Sequence, residues 1–254
     1  MGIDKEEMQE IMYAVMSELS KSKHKIVFKG SLLLSALMEG ADILSPSRLS
    51  RDADGDVQNV VSLNEMQAEV ERVLYKVGLK TAVLQIDDRT TGDQFFFKVF
   101  DTEGQGMFSI DLGVRINPWH TVYELKSGVQ ICGQTIAKIF WDKICVVSSP
   151  DVNQRPWDVF DMYLLSLRND LRMSDILAVK KGTGRLLGNF ETFLTPSEKL
   201  RSTWKRRRYI KDRPEFNAMF GRVRDLCTPF ITEWEGKAEW NPSEGLWYEG
   251  ESKL

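Results

Sequence analysis

The sequence predicts an α+β fold, with an N-terminal mixed sheet flanked by helices and a helical region after it. Three observations carry this. A short apolar run, Ile26-Val27-Phe28, stops at Lys29-Gly30-Ser31 and gives way to the apolar stretch 32–38. Between residues 81 and 114 apolar residues recur with period two, the mark of strands. Beyond about residue 130 the spacing turns helical and stays so. The chain is therefore divided into an α/β domain, 1–130, and a helical domain, 131–254, that completes the cleft and ends in an irregular tail from about 235.

Each element follows in turn. Met8, Ile11, Met12, Val15, Met16 and Leu19 form the stripe of an amphipathic first helix. Ile26-Val27-Phe28 is long enough only for a strand, and Leu32, Leu33, Leu34, Ala36, Leu37 and Met38 read as a buried helix. A strand, a Gly-Ser turn and a helix start leave backbone N–H groups free to hold an anion. Residues 40–51 have a loop's composition, and Asp52 to Val57 opens a second strand. Residues 63–77 are helical, with Gly78 as the C-terminal stop. Strands follow at 81–86, 94–100 and 107–114, and helices at 134–147, 155–168, 173–180, 196–210 and 215–227. Pro214 opens the last of these helices. The tail, with Trp240, Trp247 and Tyr248, reads as irregular chain strapped on by its aromatics.

Composition narrows the chemistry. Of 254 residues, 42% are hydrophobic and 28% charged, which excludes wholesale disorder. No apolar run approaches the roughly 20 residues of a membrane helix, and the N-terminus has no apolar signal core, so a cytoplasmic location and no membrane partner are expected. Thirty-four Lys and Arg against 37 Asp and Glu give a net charge of -3, against a globally basic nucleic-acid binder. The three cysteines, Cys132, Cys145 and Cys227, are too widely spaced for a disulfide framework or a zinc knuckle. Only two histidines occur, His24 and His120, so any metal would fall to carboxylates.

Asp52, Asp54 and Asp56 alternate, and on a strand Asp52 and Asp54 project from one face. Adjacent carboxylates repel unless a cation lies between them, and Mg²⁺ (or Mn²⁺) is the oxygen-loving partner. The string also resembles a truncated calcium loop, but Leu63 stands where that loop wants Glu. It reads equally as a solvated acidic turn. Asp111 interrupts the apolar strand Phe108-Ser109-Ile110-Asp111-Leu112, and a carboxylate so placed needs a partner. Two carboxylates on one strand and a third on another suit two-metal phosphoryl or nucleotidyl transfer. Whether Asp56 replaces one of the pair stays open.

The order Lys29-Gly30-Ser31, then Ser50-Arg51-Asp52-Ala53-Asp54, then Asp111 resembles the nucleotidyltransferase superfamily typified by DNA polymerase beta. Further on, Lys143 in Ile139-Phe140-Trp141-Asp142-Lys143-Ile144 and Arg155, Asp158 and Asp161 in Arg155-Pro156-Trp157-Asp158-Val159-Phe160-Asp161 resemble the helical motifs of the AbiEii/AbiGii toxin family. Arg48-Leu49-Ser50-Arg51-Asp52-Ala53-Asp54 looks like the same family's acidic motif. The likeness covers about residues 25–168, and it departs at Ser31, where many members have Gly, and at Arg51, where an acid is usual.

The resemblance implies a nucleotidyltransferase-type mixed sheet and a metal-dependent transfer of NMP from an NTP to an acceptor hydroxyl. Asp52, Asp54 and Asp111 would be the catalytic, metal-holding acids, and Lys29, Gly30, Ser31, Lys143, Arg155 and Asp158 would bind the nucleotide. Gly30 and Ser31 also read as an ordinary strand-to-helix turn, and Lys143, Asp158 and Asp161 as a structural ion-pair network. The segment 199–213 concentrates Lys and Arg, with Lys205, Arg206, Arg207 and Arg208 as nucleic-acid contacts and Trp204 and Tyr209 as base-stacking residues. A charged outer face or an antitoxin or dimer surface is the bland alternative. The family implies an RNA acceptor, tRNA above all, and a cognate antitoxin. Rival readings are transfer to an aminoglycoside-like small molecule or a protein hydroxyl, and a non-catalytic binding module on the same fold.

Overall fold

A computed structural model describes residues 5–40, 50–196, 198–206, 213–234 and 236–249. The chain forms two compact units, which meet in sequence between Gln134 and Thr135.

The first unit begins with α1 (Lys5–Ser20), whose Met12, Val15, Met16 and Leu19 are buried. β1 (Ile26–Lys29) then runs directly into α2 (Gly30–Gly40). β2 (Asp52–Val57) leads to α3 (Leu63–Lys76), where Ser62 and Glu65 form a reciprocal capping box that satisfies two helix-start N–H groups. β3 (Val83–Ile86), β4 (Gln94–Phe100), β5 (Gly106–Val114), β6 (His120–Glu124) and β7 (Gln130–Gln134) complete one seven-stranded sheet in the order β3-β4-β5-β2-β1-β7-β6. The sheet is mixed: β2 pairs with β5, and β1 with β7, in parallel, while the other pairs are antiparallel.

The sheet's two faces differ as the alternation requires. Ala53, Val57, Ile110, Leu112, Phe95, Phe97 and Val99 are buried on one face. Asp52, Asp54, Ser109, Asp111 and Phe96 alternate with them and stay partly exposed on the other. Each fully buried Phe or Leu contributes about 1.5–3 kcal/mol, so a register slip that exchanged the faces would be prohibitive.

β6 and β7 were not anticipated, because the helical reading begins at about 130. Their segments carry turn residues, Asn117-Pro118 and Ser127-Gly128, but only short apolar runs. β7 takes its place through backbone pairing with β1 rather than through a pattern of its own.

The second unit contains α4 (Ile136–Val147), a 3₁₀ turn at Pro150–Gln154, α5 (Pro156–Ser166), α6 (Met173–Thr183), α7 (Glu191–Leu194), α8 (Glu198–Lys205) and α9 (Phe216–Ile231). α5 packs against α4, α8 and α9. The tail is not irregular as expected. It folds into a hairpin of β8 (Ala238–Asn241) and β9 (Leu246–Glu249), with Gly245 in the left-handed region at the turn. Two indoles fasten it: Trp240 Nε1 donates to the Ser166 carbonyl at 2.7 Å and Trp247 Nε1 to that of Leu226 at 3.0 Å. Among the described residues no helix is long and apolar enough to cross a membrane.

Candidate active site

The site of the first unit is a row of side chains across adjacent strands. In the β1–β2 register Lys29 lies opposite Asp54, in β2–β5 Asp54 lies opposite Asp111, and in β4–β5 Asp111 lies opposite Phe96. Asp52, two residues before Asp54, is opposite Ser109 and accepts a hydrogen bond from its Oγ at 2.6 Å. The three acids singled out in the sequence thus share one face.

Gly30, directly after β1, has φ +77, a conformation that side-chain-bearing residues rarely adopt. It is also pressed against the acids: a Cβ there would lie 2.5 Å from Asp54 Oδ2. A glycine is required twice over, for the turn and for the approach. Ser31 follows in the first turn of α2, so the helix start, Lys29 and Asp54 lie together.

Asp56 is committed elsewhere. It is 4% exposed, its Oδ1 lies 2.5 Å from Lys29 Nζ, and its Oδ2 accepts from Asn117 Nδ2 at 3.0 Å. Asn117 Oδ1 in turn accepts from the Trp119 N–H. With both oxygens engaged, Asp56 anchors Lys29.

Asp111 is in the opposite condition. It is half-buried, and its buried Oδ1 makes no hydrogen bond. Burial pushes its carboxyl pKa above the ordinary range; Arg89 draws it down, and the neighbouring Asp52 and Asp87 push it up again. An orphaned carboxylate oxygen facing other acids is a donor set suited to a hard cation. Among the described residues no three His, Cys, Asp or Glu side chains close into a complete metal cage. Asp52 is turned onto Ser109 instead. Mg²⁺ needs no such cage, since it keeps waters and substrate phosphates beside one or two carboxylates, so the residues present fit the ion.

The outer strands bring in residues that the sequence did not announce. The Arg89 guanidinium carbon lies 4.4 Å from the centroid of the Phe96 ring, and Arg89 Nε is 2.9 Å from Asp87 Oδ1. Lys98 Nζ approaches Asp87 Oδ2 at 2.6 Å. Ser109 was legible in principle from its i−2 relation to Asp111. Phe96 and Arg89 depend on strand pairing, for which the sequence offers no direct signal.

In the second unit Lys143 from α4 meets Asp158 and Asp161 from α5. Its Nζ lies 2.8 Å from Asp158 Oδ1 and 2.6 Å from Asp161 Oδ2, and Arg155 Nε lies 2.7 Å from Asp158 Oδ2. Pro at the start of α5 and the i, i+3 spacing put both acids on one helix face. Burial opposes the Lys143 charge, but the two carboxylates outweigh it and hold the ammonium above its usual range. Asp158 is likewise desolvated, yet Lys143 and Arg155 hold its carboxyl below the usual range. The Arg155 side chain is 54% exposed, while that of Lys143 is only 13% exposed.

The basic segment departs from expectation at Trp204. This indole is 1% exposed, 5.4 Å from the Phe160 ring, and donates to the Pro214 carbonyl, so it is core and stacks on no base. Its place is set by the apolar i, i+4 pair Leu200 and Trp204 of a short amphipathic helix. Lys205 and Arg206 are exposed. Arg207, Arg208 and Tyr209, like Arg48 and Leu49 of the acidic motif, lie outside the described residues.

The sequence model of the family described as nucleotidyl transferase AbiEii toxin, type IV TA system, matches residues 11–225. Similar solved structures share the fold. A candidate nucleotidyltransferase from H. pylori is 14% identical with a TM-score of 0.60, covering 92% of this chain and 98% of that one. JHP933 from Helicobacter pylori is 13% identical with a TM-score of 0.59, covering 92% and 95%. The nucleotidyltransferase toxin MenT4 from Mycobacterium tuberculosis is 15% identical with a TM-score of 0.56, covering 89% and 83%. No curated protein sequence matches the chain.

Proposed function

The chain belongs to the AbiEii nucleotidyl transferase toxin family of type IV toxin–antitoxin systems, and from that premise we propose that it transfers NMP from an NTP to a hydroxyl of an RNA acceptor, tRNA above all. The observation that supports this best is the row Lys29–Asp54–Asp111 with Gly30 packed against Asp54. It sets an anion-binding helix start beside paired acids, the two requirements of triphosphate chemistry.

Asp54 and Asp111 would hold Mg²⁺, with Asp52 beside them on the same face, and the ion when bound would neutralise the triphosphate and polarise the phosphorus. The residues do the rest. Gly30 and Ser31 present backbone N–H groups and a hydroxyl to the phosphate tail. Lys29, anchored by Asp56, adds a fixed positive charge. Asp111 orients the acceptor hydroxyl and takes its proton, for which its raised pKa suits it. The acceptor oxygen forms its bond to the α-phosphorus as the bond to the bridging α–β oxygen breaks, and pyrophosphate leaves with that electron pair. A cognate antitoxin and a cytoplasmic setting complete the reading.

The test is incubation of the protein with total tRNA, Mg²⁺ and each α-labelled NTP in turn, beside an Asp52→Ala/Asp54→Ala control. Label on RNA with the intact protein alone is the expected outcome, and it names the nucleotide. Label on a small molecule or on the protein keeps the chemistry and removes the RNA acceptor. No transfer to anything, with no NTP binding, removes the enzyme reading.

A further inference from the structure

Beyond the acid row the same sheet face opens into a cavity of about 180 Å³, walled by Lys29, Asp54, Asp111, Gln94, Phe96 and Arg115. Strand register fixes its direction. β1 runs antiparallel to β2 and leaves the sheet opposite Asp54, so Gly30 and Ser31 lie toward the Asp52 end. The cavity lies the other way, over Gly113, the partner of Gln94 and of Asp56, and reaches Arg115 just past the end of β5. Gly113 has no side chain, and Arg115 lies beside it, with Nε 3.4 Å from where a Cβ would stand. Asp54 and Asp111 therefore wall the cavity at the end nearer the phosphate-holding turn.

In-line displacement puts the attacking and leaving oxygens on opposite sides of the phosphorus. With the leaving pyrophosphate at Gly30 and Ser31, the acceptor enters from the cavity side. Resting on the transferase reading above, we infer that this cavity is the acceptor subsite and takes the terminal nucleotide of a nucleic acid. Arg115 meets a backbone phosphate, and the Arg89 guanidinium, seated on Phe96, stacks on the base.

The platform is built for this. Arg89 is held from below by the Phe96 ring and from the side by Asp87, whose N–H donates to the Phe96 carbonyl at 2.9 Å, yet its side chain remains 60% exposed. A guanidinium seated over an aromatic ring and still largely exposed is a surface on which unpaired bases can stack. Arg115 is exposed and makes its fixed contact through its backbone, to the Val57 carbonyl at 3.0 Å. Exposed Asp88 and Asp93 on the β3–β4 loop limit the local positive charge, so Arg89 contributes by stacking rather than by bulk attraction.

The experiment measures KM for total tRNA and for the NTP separately in Arg89→Ala, Arg89→Lys, Arg115→Ala and Arg115→Lys. Both side chains are exposed, and an unchanged Tm confirms folding. The expected result is a roughly 10-fold rise in KM for tRNA in each Ala variant, with KM for NTP within about twofold. Arg115→Lys recovers most of the loss, because an ammonium still meets a phosphate, whereas Arg89→Lys does not, because it has no plane to stack. Unchanged KM for tRNA in both Ala variants overturns the subsite while leaving the transferase reading intact. A rise in KM for NTP instead assigns the cavity to the nucleotide and overturns it too. If the intact protein labels no RNA, the RNA acceptor fails and the subsite with it.

Discussion

At the residue scale the site depends on a glycine and a misfit acid. Gly30 holds a positive φ and leaves no room for a Cβ beside Asp54. Gly30→Ala is expected to displace Asp54 and lower kcat for nucleotide transfer by about 100-fold, the usual cost of an ångström-scale misplacement; steady-state kinetics at saturating NTP check this. Asp111 is raised by burial, so its ionised form is disfavoured in the folded chain. Stability contributed by the neutral form is present at low pH and lost as pH rises past the ordinary carboxylate range. Cation binding runs the opposite way, strengthening as Asp111 ionises. Without divalent ions at neutral pH, Asp111→Asn is therefore expected to raise Tm by about 2 °C while abolishing transfer. Calorimetry with and without Mg²⁺ is the measurement, and a fall in Tm would refute the assignment. These acids were legible because alternation on a strand is visible in sequence. The engagement of Asp56 by Lys29 and Asn117 was not, since Asn117 is remote along the chain and carries no motif.

At the element scale the α4–α5 pair is joined by an ion network. Lys143 is shared by Asp158 and Asp161, the latter 1% exposed. Lys143→Met takes the shared ammonium from two buried carboxylates, leaving Asp158 its Arg155 partner, and is expected to destabilise by about 3 kcal/mol, read from urea unfolding monitored by circular dichroism. The pH dependence follows from the two shifts. Asp158 is depressed, so its contribution is present at neutral pH and is lost as pH falls through the acidic carboxylate range. Lys143 is raised, so its contribution survives until strongly alkaline pH. Sequence offered both ion pairing and nucleotide contact for these residues, and the helix spacing made the pairing legible. Their individual bond partners follow only from the way α4 packs on α5. The C-terminal hairpin was illegible for a related reason: its four-residue strands are too short for periodicity, and its hold comes from indole hydrogen bonds to distant carbonyls.

At the scale of the whole molecule, a net charge of -3 must be reconciled with the proposed RNA acceptor. Long-range attraction is weak, so binding falls to local cations and a stacking platform. The salt dependence of tRNA binding is accordingly expected to be shallow, with a slope of roughly -0.7 in log K against log salt per phosphate contacted. Arg115→Ala should reduce that slope by about 1, whereas Arg89→Ala should weaken binding with little change of slope. Filter binding over a series of KCl concentrations distinguishes them. A steep slope that neither variant alters would move the nucleic-acid contacts to other basic residues, Lys205 and Arg206 first.

By itself the sequence determined the α+β class, the strand–Gly-Ser–helix unit, the alternating acids and the family, because each is written in local periodicity or in short ordered motifs. Tertiary structure alone decided that β7 joins the sheet beside β1, that Asp56 anchors Lys29, that Trp204 is core, and that Phe96 and Arg89 flank Asp111. All of these are pairings between segments far apart in the chain. Register and packing set them, and neither leaves a trace in the residues of one segment read alone.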